Sequence, residues 1–489
     1  MSACPIKFGT SGWRGIIADE FTFANVRVAV AAIAGHVLSK QDKPTLLVAH
    51  DTRFFSEEFA RTAAIVLAEH GVTPLICAKA TPTPTVAYEV RRRKVAGAIN
   101  FTASHNPAQY HGLKFSGPDG GPALPEVTHD IEARAARLFA SAKPGDSAFP
   151  SPYDGHKFEK IDPAPTYLNR LGELVNFSVL RGSDGEEALR IAYDALHGCG
   201  AGYLDQTLAD HGITAKVIRS ERDVLFDGTG PDVSEANLAP LAKAVAAHKA
   251  KIGLATDGDA DRFGILDGAG KWISPNHILG LLYDYLIESR GWKLDAARSV
   301  ATSHLMDGVA KLYGQKIHKT PVGFKYIGQL ILQDAIAIGG EESAGLSIHG
   351  HLPEKDGILA CLLVAEMMAA RGVPIEDQLR DLFRRIGREY WPLRTNLDLP
   401  DDVKTRAVER LRGDFSSFLG RRVANSDRTD GLKLTFDDGA WVLMRLSGTE
   451  PLMRVYTEAA TMEESAKIAE QARAWVFSAQ TAQTGGSPS

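Results

Sequence analysis

Val95-Ala96-Gly97-Ala98-Ile99-Asn100-Phe101 runs directly into Thr102-Ala103-Ser104-His105-Asn106-Pro107. The first seven residues form an apolar run of strand length, which predicts a buried strand, and Asn106-Pro107 halts it. A serine on a loop at the end of such a strand stands where open α/β sheets present reactive side chains, so Ser104 is a candidate nucleophile. Taken alone, the hexapeptide reads more simply as a turn in which Ser104 and Asn106 cap a following helix. Three other loops decide against that.

Outward from this strand, amphipathic and buried runs alternate. Helices are predicted at 25–39, 56–71, 84–93 and 125–141, with strands at 45–49 and 73–78, the pattern of βαβ units. Residues 143–165, rich in Pro and Gly, then read as a linker. A second unit carries a helix at 167–176, strands at 190–195 and 214–219, a glycine-rich turn at 198–202 that opens a helix, and the apolar strand 252–256 running into Asp257. A third has a strand at 299–302, helices at 306–313 and 324–333, and a strand at 335–338 running into Gly339-Gly340-Glu341-Glu342-Ser343. Three times a buried strand delivers a polar loop, so three similar α/β domains are expected, at 1–150, 151–265 and 266–386. The remainder, 387–489, predicts an α+β domain with strands at 390–399, 432–436, 441–445 and 453–459 and helices at 401–412 and 462–477, closed by a disordered tail from 480.

A chain of 489 residues exceeds one core. Met1 to Pro5 lacks the basic and apolar regions of a signal peptide, and the longest apolar stretch, 358–370, is too short to span a bilayer and predicts a buried helix. Cys4, Cys77, Cys199 and Cys361 have no metal-ligand spacing and suggest free thiols in a reducing compartment, so a cytoplasmic location without a membrane partner is expected. The net charge of -5 argues against nucleic acid. A phosphorylated substrate would then need a local cluster of cations.

Asp257-Gly258-Asp259-Ala260-Asp261-Arg262 sets three carboxylates at alternate positions with Gly and Ala between them, so the backbone can curl and aim all three at one point. Hard divalent cations take such oxygen ligands, and without a cation the carboxylates repel. The set favours Mg2+ over zinc. An exposed acidic turn is the plain alternative, but this one directly ends a buried strand. Arg445-Leu446-Ser447-Gly448-Thr449-Glu450-Pro451 combines a guanidinium, hydroxyls and a glycine amide suited to phosphate, or else is a β-turn. Gly9-Thr10-Ser11-Gly12-Trp13-Arg14-Gly15 is a second anion contact or a flexible turn. Gly340 to Gly345 offers carboxylates and a hydroxyl suited to sugar hydroxyls, although a helix N-terminus accounts for Glu341 and Glu342 almost as well.

Taken in order, Gly-Thr-Ser-Gly-Trp-Arg-Gly, Thr-Ala-Ser-His-Asn-Pro, Asp-Gly-Asp-Ala-Asp-Arg, Gly-Glu-Glu-Ser-Ala-Gly and Arg-Leu-Ser-Gly-Thr resemble the α-D-phosphohexomutases, over nearly the whole chain. The resemblance implies three α/β domains with mixed sheets and a C-terminal α+β domain around one central cleft. It implies that Ser104 is carried as phosphoserine and joins Asp257, Asp259 and Asp261 around Mg2+. By the same resemblance Arg14, Lys114 and His105 belong with the transferring group, Glu341, Ser343 and Arg262 hold the substrate, and Arg445, Ser447, Gly448 and Thr449 hold its distal phosphate. The reaction implied is the exchange of glucose 1-phosphate and glucose 6-phosphate, with glucose 1,6-bisphosphate as the activating intermediate. Gly-Glu-Glu-Ser-Ala-Gly is more similar to the phosphoglucomutases than to the phosphoglucosamine mutases, with mannose 1-phosphate a second substrate to weigh. A metal-dependent phosphatase using Asp257 or Asp259, and a catalytically inert sugar-phosphate binder, rank lower. Neither accounts for the remote Arg445 loop together with an intact Ser104.

Overall fold

Four sheets divide the chain in sequence order. The computed structural model describes residues 4–141, 157–182, 188–446 and 452–478, so Ser447, Gly448, Thr449 and the tail expected from 480 lie outside the described residues.

The strand that opened the sequence is Gly97–Phe101, buried along its whole length and central in a seven-stranded sheet. It pairs in parallel with Thr45–His50 and antiparallel with Tyr110–Ser116. Helices Phe23–Leu38, Ser56–Glu69, Thr83–Arg93 and Pro125–Ser141 accompany this sheet, close to the spans predicted. The first unit does not stop at 150: Glu159–Ile161, inside the expected linker, adds a parallel strand beside Thr73–Cys77. Three residues, two of them exposed, carry no readable apolar period.

The second sheet orders Phe263–Asp267, Ile252–Thr256, Ile191–Asp194 and Ala215–Ile218, and the third orders Gly345–Ile348, Ile336–Glu341, Asp295–Ser299 and Ile317–Thr320. In each, a buried central strand pairs in parallel on one side and folds back antiparallel on the other. The boundary expected at 265 therefore falls inside a strand, and the second unit runs on to the bridge between Leu266 and Trp272. The strand expected at 299–302 lies earlier, at Asp295–Ser299, because Asp295 and Arg298 interrupt its apolar pattern. Arg298 is nonetheless buried, its charge answered by Asp307.

The fourth unit is a six-stranded antiparallel sheet with helices Asp401–Leu411 and Met462–Phe477. Its strand Arg421–Asp427 escaped the sequence pattern, since most of its side chains are exposed. Trp441, Leu443 and Tyr456 of this sheet pack on Val300 and Ala301 of the third unit, and Lys433 Nζ donates to Val300 O at 2.8 Å.

The apolar run at 358–370 forms helix Gly357–Arg371, buried for most of its length within a core shared by the second and third units. Among the described residues no single helix is long and apolar enough to cross a membrane. Inside this helix Glu366 is fully buried. It accepts from Asn176 N at 2.9 Å and Tyr285 Oη at 2.7 Å, and pairs with Arg290 at 2.6 Å. Glu366→Ala leaves a partly buried guanidinium and an amide without their acceptor, a loss of roughly 3 kcal/mol. Urea unfolding should show a lower midpoint; an unchanged midpoint would mean that this cluster adds no net stability.

Candidate functional site

Each of the three loops is the tip of an antiparallel hairpin: Gly97–Phe101 returns as Tyr110–Ser116, Ile252–Thr256 as Phe263–Asp267, and Ile336–Glu341 as Gly345–Ile348. One non-glycine residue in each tip has a left-handed backbone, Ser104 at φ 53°, Ala260 at 56° and Ala344 at 69°. Such conformations cost of order 1–2 kcal/mol and persist where the surroundings over-determine them.

For Ser104 the surroundings are Arg53, a buried residue that the sequence did not single out. Its guanidinium donates to the carbonyls of Ser104 (2.7 Å), Pro107 (2.9 Å) and Tyr110 (3.1 Å), as well as to Asn106 O. Asp51 holds it from behind at 3.2 Å. Thr102 Oγ1 accepts from Ser104 N at 2.8 Å. Carbonyls of one turn need not face one point, and a five-donor fork explains why these do.

Ser104 Oγ donates to Asp257 Oδ2 at 2.7 Å and lies 3.3 Å from His105 Nδ1. Ala260 N closes the aspartate turn on Asp257 O at 3.0 Å, and Asp257 Oδ1 accepts from Arg262 N at 3.0 Å. Lys114 Nζ donates to Asp261 Oδ2 at 2.8 Å and also to Asp259 Oδ2. Lys355, likewise absent from the candidate residues, reaches Asp261 Oδ2 at 3.0 Å. Thr83, at the start of helix Thr83–Arg93, donates its hydroxyl to Asp259 Oδ2 and its N–H to Asp259 O at 2.9 Å. Arg14 donates to Asn106 Oδ1.

Burial and the charges of Asp259 and Asp261 push Asp257 well above the usual carboxylate range. Burial would do the same to Asp261, but Lys114 and Lys355 outweigh it and hold its carboxyl far below that range. Lys114 is shifted upward, as Asp259 and Asp261 overcome its desolvation. Burial, reinforced by Arg262, brings Arg14 down to about 10. Burial and the cations Arg262 and Arg14 depress His105 well below an ordinary histidine, so its ring is neutral at pH 7.

The three aspartates fit a divalent cation. Each offers an oxygen within 4.8 Å of the other two, all three are buried, and Asp259 Oδ1 and Asp261 Oδ1 have no hydrogen-bond partner. Leaving a buried carboxylate oxygen unsatisfied is costly, and a cation relieves it.

Glu341 ends its strand, 5 % exposed, and accepts from Gly323 N at 2.6 Å. Burial and Glu342 raise it to about 7. Glu342 is fixed by Ser299 Oγ at 3.0 Å. Arg262, Glu342 and Ser343 line a cleft of about 810 Å3, whose far wall includes Trp441, Tyr456 and Arg394 of the fourth unit. Arg445 is not among its lining residues; its Nε is 2.8 Å from Asp430 Oδ1. The structure thus brings Ser104, His105, Arg14, Lys114, Arg262 and the aspartates together. It places Glu341 and Ser343 on the adjoining hairpin, and Arg445 in an ion pair in the fourth unit.

Descriptions of the phosphoglucomutase/phosphomannomutase α/β/α domains I, II and III match residues 5–141, 165–270 and 274–386, and that of the C-terminal domain matches 395–474. The chain belongs to the phosphoglucomutase/phosphomannomutase family. It is 30% identical to a phosphoglucomutase of Komagataeibacter xylinus, over 93% of this chain and 87% of that one. It is 28% identical to a phosphoglucomutase/phosphomannomutase of Thermococcus kodakarensis, over 95% and 96%. A crystal structure from Thermus thermophilus, provisionally assigned as a phosphomannomutase, superposes with a TM-score of 0.83 at 32% identity, covering 98% of this chain and 100% of that one. Other relatives bear the name phosphoglucosamine mutase. The chain is therefore a phosphohexomutase-family isomerase, an intramolecular phosphotransferase of a metal-dependent family that acts on phosphorylated hexoses.

The uneven charge of the aspartates yields a stability difference. In chelator, Asp261→Asn strips two buried ammonium groups of a shared partner and should cost about 3 kcal/mol or more, whereas Asp257→Asn should cost less than about 1 kcal/mol. Because Asp261 ionises more readily folded than unfolded, the wild-type advantage over Asp261→Asn is present above the ordinary aspartate value of 3.8 and is lost as pH falls below it. Thermal midpoints of the three metal-free proteins check this; equal drops for both variants would contradict it.

Proposed function

We propose that this phosphohexomutase interconverts glucose 1-phosphate and glucose 6-phosphate, with Ser104 carrying the phosphoryl group between two half-reactions. The observation that supports this best is the meeting of Ser104 Oγ with Asp257 Oδ2 at 2.7 Å, where Asp259, Asp261 and Lys114 also converge. Ser104, Asp257, Asp259 and Asp261 would hold Mg2+, the hard cation that an oxygen-only set suits. When bound, Mg2+ would neutralise the carboxylates and draw negative charge from the transferring phosphoryl oxygens.

The protein's own groups divide the remaining work. Lys114 and Arg14 are charged at neutral pH and stabilise the phosphoryl oxygens. His105, with Nδ1 3.3 Å from Ser104 Oγ and a neutral ring, lies beside the transferring group and adds no charge to it. Glu341 and Ser343 bind sugar hydroxyls, and Arg262 binds substrate from the cleft wall. Isomerisation requires glucose 1,6-bisphosphate to turn end for end, so a second anchor must hold whichever phosphate is not reacting. Arg445, Ser447, Gly448 and Thr449 are proposed for that anchor, with Arg445 exchanging Asp430 for the phosphate.

Mannose 1-phosphate is the second substrate to weigh, because C2 epimers differ in one hydroxyl's direction and single contacts discriminate modestly. Comparing kcat/KM for glucose, mannose and glucosamine 1-phosphates should give the order glucose, mannose, glucosamine; glucosamine first would overturn the sugar assignment.

Ser104→Ala should lower mutase turnover at least about a thousandfold while sugar-phosphate binding persists. Labelled glucose 1,6-bisphosphate should phosphorylate the wild type and not the variant, as read by intact mass. Label retained in the variant would move the carrier to another residue, as the phosphatase alternative at Asp257 or Asp259 requires.

A further inference from the structure

We propose that Thr83 is a positioning residue whose hydroxyl closes one oxygen of Asp259, so that this carboxylate meets a divalent cation through its other oxygen alone and the site favours Mg2+ over Ca2+. This role rests on Asp257, Asp259 and Asp261 being the cation's ligands, as proposed above.

Thr83 is 4 % exposed and is the first residue of helix Thr83–Arg93. Pro82 gives this helix no side-chain cap, so its first amides need acceptors from elsewhere. Thr83 N finds one in Asp259 O at 2.9 Å, and Thr83 Oγ1 donates to Asp259 Oδ2. One residue of the first unit therefore grips both the backbone and the side chain of an aspartate in the second.

The direction of the hydroxyl proton is fixed from both sides. A carboxylate oxygen only accepts, so the proton points to Asp259, and Thr83 Oγ1 is left to accept from Asn100 Nδ2 at 2.9 Å. Asn100 lies on strand Gly97–Phe101, which leads to Ser104, and is paired across the sheet with Lys114. Directly paired residues share a face of the sheet. Lys114 Nζ is the second donor to Asp259 Oδ2.

Two donors thus fill the lone pairs of Asp259 Oδ2, whereas Oδ1 is buried with no hydrogen-bond partner. Asp261 repeats the arrangement with two ammonium groups: Lys114 and Lys355 hold its Oδ2 at 2.8 and 3.0 Å, and its Oδ1 has no hydrogen-bond partner. Each carboxylate keeps one oxygen for a cation. Mg2+ demands a small, near-octahedral set that the narrow bite of a two-oxygen carboxylate does not fit, while Ca2+ takes roughly 6–8 oxygens and accepts both from one carboxylate. Thr83 closes Asp259 Oδ2 with a neutral group, so removing its hydroxyl reopens a lone pair there and leaves the ion pairs of Lys114 and Lys355 in place.

The test reads metal binding rather than turnover. Full-length protein, dephosphorylated and stripped with chelator, is titrated calorimetrically with Mg2+ and separately with Ca2+, and near-ultraviolet circular dichroism checks the fold of each variant. Thr83→Val nearly keeps the side chain's size and loses the hydroxyl. Thr83→Ser keeps the hydroxyl, and Thr83→Ala loses it at nearly the size of serine, so the serine and alanine variants carry the comparison if valine is not accommodated. The valine and alanine variants should bind Mg2+ about tenfold more weakly and Ca2+ as tightly as the wild type, while the serine variant keeps the wild-type preference. An equal loss of both metals, an unchanged Mg2+ affinity without the hydroxyl, or a serine variant that behaves as alanine would each overturn the role of Thr83. Asp259→Asn separates this from the ligand assignment, since it should remove most Mg2+ binding whatever Thr83 does. Binding that survives Asp259→Asn, or a wild type that binds no Mg2+, would overturn the aspartate site itself and the role of Thr83 with it.

Discussion

Three carboxylates buried within five residues of chain are an electrostatic debt that the rest of the molecule is arranged to meet. Taking an ion from water costs several kcal/mol even after relaxation, and like charges at this range add to it. The cations that answer come from separate units: Lys114 from the first, Arg262 from the second and Lys355 from the third. No unit could bury its part of this cluster alone. The charge is also unevenly held, with Asp261 firmly ionised between two ammonium groups and Asp257 pushed toward its acid form beside Ser104.

The same backbone solution recurs in all three α/β units. A central buried strand turns back antiparallel, and its tip presents the polar residues. Backbone bonds join the second unit's tip directly to its neighbours: Phe263 N donates to Ala344 O at 3.1 Å, and helix starts of the third and first units reach it through Gly357 N to Ala260 O at 3.1 Å and Thr83 N to Asp259 O at 2.9 Å. Gly258 permits a close approach between units, since a Cβ there would stand 2.6 Å from Ser104 O. Buried amides and carbonyls of different units satisfy one another, so the loops form one continuous surface.

The fourth unit is tied in differently. Its cluster of Trp441, Leu443 and Tyr456 against the third unit is small beside the core shared by the second and third. Polar links complete the contact: Asp430 accepts from Val322 N at 3.1 Å while holding Arg445, and Glu458 accepts from His304 N at 3.0 Å. Gly387, with a left-handed backbone, ends helix Ile375–Ile386 just before the connection to this unit. A modest, partly polar interface is the arrangement expected of a domain that shifts against its neighbour.

Apolar period revealed the buried strands because burial on both faces leaves a run of apolar residues at strand length, and Gly97–Phe101 and Ile252–Thr256 are such runs. Residue type and spacing likewise pointed to Asp257, Asp259 and Asp261 as a set fit for a cation, since alternate carboxylates have few uses apart from one. The return strands and the strand Glu159–Ile161 were not readable, being short or set by pairing with segments far along the chain. Arg53, Thr83 and Lys355 were equally hidden: in sequence each is an ordinary polar residue, and only a partner between 51 and 176 positions away gives it a role. Which groups can do chemistry was legible from residue order, because that property belongs to the side chain. Which of them meet, and at what charge, was settled only by folding, because desolvation and Coulomb energy depend on distances that chain order does not contain.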